Sequence, residues 1–280
     1  MNDLKRIEML DCFRGYSEKL HAPALIYSGE ARKKDIITDL VDYVVSDLEE
    51  KLDKRAEKDA QTRQEKILVC MPNMGTIKNK TVASMIAMDK TENTKWCMIG
   101  GSLIYDARDI CVDTAIKEGF DYLMFIDSDI EFESNAMLRL LDRNKDIVTG
   151  IYYKRGGDHS PVVYRHIAPL EIGTRKITCE TETDVDRPFF KIEGCGMGFC
   201  LIKVEVFKKL LEEYPTCFTP IDGLGEDLSF CYRAIKAGYE IWADGEIPLN
   251  HWGEIAFGRA SWYKESTDES NRDKHSELER

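Results

Sequence analysis

The sequence of 280 residues predicts an α/β domain built on a mostly parallel sheet. Short, continuous apolar runs alternate along the chain with segments of helical periodicity. A strand of a parallel sheet is buried on both faces, so it needs an uninterrupted apolar run. The alternation itself favours parallel strands joined by helical crossovers. The predicted strands are residues 67–71, 96–99, 122–126 and 147–152, and the predicted helices between them are 81–88, 107–117 and 135–141.

Before this alternation begins, residues 1–65 form a predicted helical extension. From residue 35 onward, apolar side chains recur at spacings of three and four residues, which places them on one stripe of a helix. The simplest interpretation is a helix that packs on the main domain, and the alternative is a homodimer contact through this helix. The stripe consists of Ile37, Leu40, Val41, Val44, Val45, Leu48 and Leu52.

Beyond the fourth predicted strand the regular alternation is lost. Residues 156–193 contain polar stretches with Thr, Ile and Tyr, which predict hairpins or loops. We therefore place the main domain at residues 66–255 and a polar tail at 256–280. The remaining predicted elements are helices at 204–211 and 227–236 and short strands at 239–243 and 247–249.

The charge balance limits the partners of the protein. Lys and Arg number 39 against 51 Asp and Glu, which gives a net charge of −12. An acidic surface does not attract nucleic acid or anionic lipid as a whole, and a phosphate-bearing ligand would need a local cation. No apolar run approaches the roughly 20 residues of a membrane span, and the first residues lack the apolar segment of a secretory signal. We therefore expect a soluble, cytoplasmic protein with no nucleic-acid partner.

The cysteines give a further indication of the compartment. There are nine of them, an odd number in mostly apolar surroundings, which is typical of reduced thiols in a cytosolic protein. Cys195 and Cys200 are close in sequence but have no second pair, so they do not predict a zinc site. We expect the thiols to be packing residues.

An acidic motif follows the most apolar predicted strand. Phe125-Ile126 is followed directly by Asp127-Ser128-Asp129. In an extended segment, residues two apart point to the same face, so both carboxylates would share one face. Two carboxylates that close are costly to bury without a cation, and hard divalent ions take oxygen ligands together with the phosphates of a substrate. The motif therefore predicts a site for a metal ion and a diphosphate, with an exposed acidic turn as the alternative.

Three further motifs lie downstream. Glu226 and Asp227 begin a predicted helix, where a carboxylate suits either a base for an acceptor hydroxyl or simple stabilisation of the helix N-terminus. His251 follows a short predicted strand and can offer a ring nitrogen to a metal, although a single histidine is more often structural. The three glycines of Gly194-Cys195-Gly196-Met197-Gly198 let the backbone approach a ligand or let elements pack tightly, and no Walker-type Gly-Lys-Ser/Thr follows them.

Taken in order, these motifs resemble those of the GT-A fold glycosyltransferases, in the broad group that includes the family 2 enzymes. The similarity covers about residues 66–255 and depends on the ordered set rather than on one motif. The compact layout is also similar to that of sugar transferases encoded by phages and large algal viruses, for which the compartment would be the host cytoplasm. The set comprises Pro72-Asn73, Asp106-Ala107-Arg108-Asp109, Asp127-Ser128-Asp129, Gly150-Ile151-Tyr152-Tyr153, the glycine motif at 194–199, Gly225-Glu226-Asp227 and His251.

The resemblance implies a Rossmann-like GT-A sheet flanked by helices, and an enzyme that moves a sugar from a nucleoside-diphosphate sugar to a hydroxyl of a glycan acceptor. UDP is the preferred nucleotide, with GDP next. The resemblance also implies a Mn²⁺ or Mg²⁺ ion held by Asp127, Asp129 and His251. Asp227 would be the base of an inverting transfer, and Glu226 would orient the acceptor or act as the base itself. The donor-binding residues would be Pro72, Asn73, Arg108, Ser128, Gly196 and Met197, and Trp252 would contact the acceptor.

Some of these residues have a structural alternative. Arg108 suits a diphosphate because its guanidinium binds in a bidentate manner, but it also suits a salt bridge on a helix surface. Trp252 can stack on a sugar ring or be a buried aromatic residue. Lys154 and Arg155 can reach phosphates or belong to a solvated turn.

Other functions stay open at the level of sequence. A retaining transfer on the same fold needs no base of this kind. A phosphohydrolase of the haloacid dehalogenase type also has two Asp residues after a strand, but it needs Thr or Val where this chain has Glu131. A nucleotidyltransferase would need a basic, glycine-rich loop after the first strand, which residues 74–78 match poorly. The non-enzymatic alternative is a module that only binds nucleotide sugars. A processive synthase is not expected, because neither a Gln-x-x-Arg-Trp motif nor membrane helices follow Asp227.

Overall fold

The computed structural model describes residues 64–73, 75–100, 103–169, 178–253 and 256–258. The predicted extension at 1–65, with its helix and homodimer contact, therefore lies almost wholly outside the described residues. The same is true of the predicted tail at 256–280. The domain boundaries consequently stay predictions.

A mixed sheet of nine strands forms the centre of the described part of the chain, beside a separate sheet of three strands. The strands are β1 Ile67–Asn73, β2 Lys95–Gly100, β3 Tyr122–Ile126, β4 Ile130–Phe132, β5 Ile147–Ile151, β6 Val163–Ala168, β7 Thr178–Thr181, β8 Phe189–Ile192, β9 Gly194–Cys195, β10 Phe199–Lys203, β11 Ile241–Trp252 and β12 Ala256–Phe257. The main path of the large sheet has the order β12-β11-β5-β10-β3-β1-β2, and β4 and β8 pair with β11. The small sheet has the order β7-β6-β9.

Most of the central strands run in one direction. Strand β1 pairs in parallel with β2 and β3, and β5 pairs in parallel with β11. Strand β10 lies antiparallel between β3 and β5, with Cys200 opposite Phe125 on one side and Thr149 on the other. Strands β3 and β5 are thus parallel to each other, and their carboxyl ends lie at the same edge of the sheet. The predicted fold class, a mostly parallel α/β sheet flanked by helices, is confirmed.

Helices cover both faces of this sheet, because successive side chains of a strand point to opposite sides. On one face, Leu68 and Leu123 pack with Val112 and Phe230 in one apolar cluster. On the other face, Val69, Met124 and Met137 belong to a second cluster. The helices are α1 Asn79–Ala87, α2 Ile104–Glu118, α3 Ala136–Asp142, α4 Val204–Leu210 and α5 Glu226–Lys236.

The predicted elements between residues 67 and 152 are all present, with ends shifted by a few residues. Further along the chain, one prediction was wrong and one strand was overlooked. The short strands expected at 239–243 and 247–249 are one strand, β11, whose register against β5 shifts between Asp244 and Pro248. No strand was predicted where β10 lies. None of the helices in the described ranges has both the length and the apolarity that crossing a bilayer requires.

Candidate active site

A cavity of about 560 Å³ lies where β1 and β3 end, which is the edge of a parallel sheet at which ligands usually bind. Eight of the residues that the sequence singled out line it. They are Pro72, Asn73, Arg108, Asp127, Ser128, Asp129, Glu226 and His251. The remaining lining residues are Thr76, Lys78, Ile104, Ala107, Tyr152 and Arg155.

The Asp127-Ser128-Asp129 segment is a turn, whereas the sequence led us to expect an extended strand end. The N–H of Ile130 donates to the carbonyl of Asp127 at 3.3 Å and closes the turn. Both carboxylates nevertheless border the same cavity. The expectation that they share one face is therefore correct, but its cause is a turn rather than a strand.

Three separate segments hold the backbone of this turn. The N–H of Asp127 donates to the carbonyl of Gly198 at 2.9 Å, and the carbonyl of Ser128 accepts from the N–H of Lys78 at 2.8 Å. The carbonyl of Asp129 accepts from the N–H of Trp252 at 2.7 Å. Because each residue of the turn is fixed by a different element, the carboxylates are presented in a defined geometry.

Arg108 reaches this turn from helix α2. Its side chain is almost fully buried, and it lies 3.3 Å from Asp127 and 3.7 Å from Glu226. A third contact joins Nη1 to the carbonyl of Met197 at 3.5 Å. The alternative of a salt bridge on a helix surface was therefore wrong. The guanidinium also stacks over the ring of Phe125 at 5.2 Å.

The surroundings of Arg108 keep its guanidinium charged. Burial lowers the pKa of Arg108, but Asp127, Glu226 and Asp227 raise it, and the net effect is upward. Its buried Nε lies 3.7 Å from Glu226, beyond hydrogen-bond distance, and makes no hydrogen bond in the described part of the chain. A buried arginine in the cavity wall whose Nε makes no hydrogen bond is suited to an anionic ligand that comes closer.

Asp129 and His251 form a second pair in the cavity. Nε2 of His251 lies 3.4 Å from Oδ1 of Asp129, and Arg155 contacts Oδ2 at 2.8 Å. Nδ1 of His251 lies 2.8 Å from the carbonyl of Tyr153. A carbonyl can only accept, so Nδ1 carries the hydrogen and Nε2 faces the carboxylate.

The same contacts set the charge of Asp129. Burial raises the pKa of this carboxyl. The hydrogen bond and charge of His251 and the charge of Arg155 lower it by a larger amount, so the pKa of Asp129 lies below its ordinary value. Asp129 is therefore an ionised carboxylate at neutral pH.

The donor set of this pair fits a divalent metal ion. A carboxylate oxygen and an imidazole nitrogen, the latter oriented by a backbone carbonyl, are ligands that such ions accept. Asp127, by contrast, is held by Arg108 and does not form a compact three-ligand group with the other two. Within the described ranges, the only three potential ligand atoms found within 4.8 Å of one another belong to Cys70, Cys97 and Cys111. A metal at Asp129 and His251 would thus need further ligands from substrate and water.

Glu226 and Asp227 occupy the first turn of α5, and the N-cap residue is Gly225. Glu226 lines the cavity, whereas Asp227 is half-buried beside it. The carboxylate of Asp227 accepts the N–H of Leu228 at 2.7 Å, one of the N–H groups that a helix start leaves without a partner. The helix-stabilising role considered for this pair is therefore present in Asp227.

The environment of Asp227 changes its acidity. Burial and the negative charge of Glu226 raise its pKa from 3.8 to about 6, while the N–H of Leu228 and the charge of Arg108 oppose this shift. Asp127 adds a smaller upward contribution. A carboxyl with a pKa near 6 is still mostly ionised at pH 7 and is a stronger base than an ordinary aspartate.

Gly196 and Met197 lie behind the cavity wall and are buried. A Cβ at Gly196 would overlap the hydroxyl of Tyr152, which accepts the N–H of Gly198 at 3.2 Å. Tyr152 in turn meets the ring of His251 edge-on, with centroids 5.3 Å apart. The glycine motif therefore acts on the cavity through Tyr152.

Trp252 does not line the cavity. Its Nε1 donates to Glu131 at 2.8 Å, and Nζ of Lys80 lies 5.7 Å from its ring centre. The indole is half-buried, between the buried and the exposed alternatives considered from the sequence.

Sequence reasoning gave too little weight to Tyr152 and Arg155. Both follow β5, whose carboxyl end lies at the same edge as that of β3, so strand position was a usable signal. Lys154 pairs with Asp158 at 3.8 Å on the surface, as the solvated-turn alternative expects. Thr76 and Lys78, which also line the cavity, belong to the loop after β1 that was judged a poor phosphate loop.

Comparison with known proteins supports the fold. No protein-family model matches the chain, and no curated protein matches it in sequence. Among solved structures, A197 from STIV superimposes with a TM-score of 0.50 and 19% identity, over 70% of this chain and 91% of that chain. The mannose-1-phosphate geranyltransferase from Thermus thermophilus gives 0.37 and 11%, over 66% and 76% of the respective chains, which is too distant to support an inference. The chain therefore has a GT-A-like fold, and its activity must be argued from the cavity.

Proposed function

We propose that this protein is a metal-dependent glycosyltransferase that moves a sugar from a nucleoside-diphosphate sugar, with UDP the first choice, to a hydroxyl of a glycan acceptor. One observation carries the proposal. A single cavity at the carboxyl edge of the sheet combines the ionised carboxylate of Asp129 and the adjacent imidazole of His251 with the buried cation Arg108. A metal ligand pair and a buried cation are what a diphosphate requires on an acidic protein.

In this proposal Asp129 and His251 hold a Mn²⁺ or Mg²⁺ ion, and Asp127 faces the ion or the ribose. The ion would supply charge stabilisation to the departing nucleoside diphosphate. Arg108 adds its fixed positive charge toward the phosphates, and its Nε, which makes no hydrogen bond to Glu226 at 3.7 Å, would donate to a closer phosphate oxygen. Pro72, Asn73 and Ser128 form the wall on which the nucleoside lies.

The base of the transfer is Asp227. It stands next to Glu226 at the start of α5, and its raised pKa makes it a competent acceptor for the proton of a hydroxyl nucleophile. Burial raises the pKa of Tyr152 and of Tyr164, and the negative charge of Asp227 adds to both shifts, so both phenol groups lie near this carboxylate. The acceptor sugar would therefore approach between the N-terminus of α5 and the small sheet that contains Tyr164, with Trp252 as a further acceptor contact.

Glu226 is the alternative base, because it lines the cavity and Asp227 does not. In the proposed arrangement Glu226 is paired with Arg108 at 3.7 Å, which favours a positioning role over proton transfer. A retaining reaction would use neither carboxylate as this kind of base.

The donor is identified by a thermal-shift screen of nucleotide sugars with and without Mn²⁺. A ligand that binds the native state raises the melting temperature by mass action, so we expect a UDP-sugar to raise it only when Mn²⁺ is present. A screen in which no nucleotide sugar shifts the transition would contradict the proposal.

A second experiment, which uses the donor found in that screen, identifies the catalytic base. We expect Asp227→Asn to keep donor affinity within about twofold and to lose transfer by at least about a hundredfold, in the range typical of general-base residues. Glu226→Gln is the matched variant and should keep measurable transfer. If Asp227→Asn retains turnover while Glu226→Gln does not, Glu226 is the base. If both variants turn over, the inverting mechanism is wrong.

A further inference from the structure

Three cysteines meet on the face of the sheet that α2 covers. Cys70 lies in β1, Cys97 lies opposite it in the neighbouring strand β2, and Cys111 lies in α2. Their sulfur atoms are all within 4.8 Å of one another. All three are free thiols. Two strands and a helix that are distant in sequence therefore place three sulfur atoms around one point.

The three thiols differ in ligand chemistry from the carboxylates and the imidazole of the cavity. A set composed only of thiols favours soft, thiophilic ions such as Zn²⁺ and does not favour Mg²⁺ or Mn²⁺, which prefer oxygen. No other group of three potential ligands in the described part of the chain meets the same distance limit. The carboxylates and His251 of the proposed active site are not members of this group.

A metal ion can reach the three sulfur atoms from the side of Cys97. Cys70 and Cys111 are fully buried, but Cys97 is half-buried on β2, the strand at the end of the sheet path. An ion could enter beside Cys97 and keep one position open toward water. Three protein ligands with a fourth position for water is a common zinc arrangement.

From this geometry we infer that Cys70, Cys97 and Cys111 bind one soft metal ion of the Zn²⁺ class. The ion links β1 and β2 to α2. Helix α2 also carries Arg108, one turn before Cys111, so the same link holds the helix that supplies the cation of the cavity. The inference goes beyond the proposed function and does not depend on it.

The test uses the full-length protein, reduced and freed of metal with a chelator that is then removed. Cd²⁺ is the spectroscopic probe, because thiolate–cadmium charge transfer absorbs in the ultraviolet, and Zn²⁺ is measured by competition with a chromogenic chelator. We expect the charge-transfer band to saturate at one equivalent of Cd²⁺, and Zn²⁺ to raise the melting temperature. Cys97→Ser should weaken binding at least about tenfold, since even residues that only orient a metal ligand are worth that much.

The control is Cys179→Ser, which removes another partly exposed thiol outside the cluster and should bind as the wild type does. Cys97 is chosen because it is the least buried of the three, and circular dichroism confirms that the variant is folded. Absence of a charge-transfer band in the folded, reduced wild type would overturn the inference, and so would a band of equal strength in Cys97→Ser. The charge-transfer band arises only from thiolate ligands, whereas the proposed transferase site has carboxylate and imidazole ligands, so failure of this site is distinguished from failure of the proposed transferase.

Discussion

Arg108 sits between Asp127 and Glu226, and its charge offsets theirs at the base of the cavity. An arginine this deeply buried is stable only because its neighbours are anionic. The same arrangement leaves two neighbouring carboxylates that depend on one cation.

Replacing this cation should destabilise the protein. We expect Arg108→Met to lower the free energy of unfolding by about 3 kcal/mol, the lower end for a broken buried pair, because Asp127 and Glu226 keep some contact with water. Urea denaturation measures the loss. The matched control is Arg165→Met, since the pair of Arg165 with Glu180 at 3.0 Å is exposed and should be worth less than about 1 kcal/mol. Equal losses in the two variants would contradict the assignment.

Asp227 should make stability depend on pH in a specific direction. Its pKa is raised from 3.8 to about 6 in the folded protein, so the folded state holds the proton more tightly than the unfolded chain. The associated stability is present below about pH 4 and is lost as the pH rises through 6. The shift corresponds to at most about 3 kcal/mol, reduced by partial exposure, so we expect Asp227→Asn to raise the melting temperature at pH 8 by about 2–4 °C.

Scanning calorimetry of the wild type and Asp227→Asn at pH 8 and pH 4 makes this comparison. The advantage of the variant should disappear at pH 4, where the wild-type carboxyl is protonated. Asp113→Asn on the surface of α2 is the control and should show no such pH dependence. A variant that is less stable than the wild type at pH 8 would show that the carboxylate is stabilised in its charged form.

At the residue scale, the sequence revealed side chains whose chemistry is local and missed those whose role comes from distant packing. Asp127 and Asp129 were found because they follow a buried strand. Tyr152 was part of the motif set, but its role was missed, because it depends on Gly196 and Gly198 coming to lie against its ring. The burial of Arg108 was equally hidden, since it is a charged side chain on the face of α2 that buries Ala107, Cys111 and Ala115, and nothing local shows that a cation is buried there.

At the scale of elements, the glycine motif before β10 exists to make room for Tyr152. A methyl group at Gly196 would meet the Tyr152 hydroxyl and a methyl of Val162 too closely. We expect Gly196→Ala to cost about 1–3 kcal/mol, as overpacking of a core usually does. In a Tyr152→Phe background the cost should fall by at least about 0.5 kcal/mol, since the closest of the three overlaps, that with the hydroxyl, is removed while Cζ of the ring and the methyl of Val162 stay at 2.9 Å.

The double-mutant cycle is measured by denaturant unfolding. Gly156→Ala is the matched control, because nothing lies within 4 Å of the added methyl group, and it should change stability by less than about 0.5 kcal/mol. If Gly196→Ala costs no more than Gly156→Ala, or costs the same with Phe at position 152, the close approach is not the reason for the glycine.

The elements that were predicted correctly and those that were missed differ in one physical respect. β1, β3 and β5 are apolar runs buried on both faces, and local composition is enough to recognise them. β10 is equally apolar, but its insertion between β3 and β5 is a long-range pairing that no local pattern encodes. β11 was divided in two because Gly245 and Pro248 interrupt it, and the structure accommodates them with a shift of register against β5.

At the scale of the whole molecule, a protein of net charge −12 holds a cavity whose wall contains Lys78, Arg108 and Arg155. Arg155 contacts Asp129 and is half-exposed, so it can leave this carboxylate for a phosphate without a large cost. The overall charge would repel a nucleoside diphosphate, and only the cations of the cavity and a bound metal ion oppose that repulsion.

The most direct test of this account is calorimetric titration of UDP into the wild type and Asp129→Ala, each with Mn²⁺ and with a chelator in its place. We expect binding to the wild type only with Mn²⁺, and a loss of at least about tenfold in affinity, or about 1.4 kcal/mol, in the variant. Asp113→Asn is the control and should bind as the wild type does. Equal affinity in Asp129→Ala and the wild type, or binding that is unaffected by removal of Mn²⁺, would contradict the central claim that a metal ion at Asp129 and His251 holds the diphosphate.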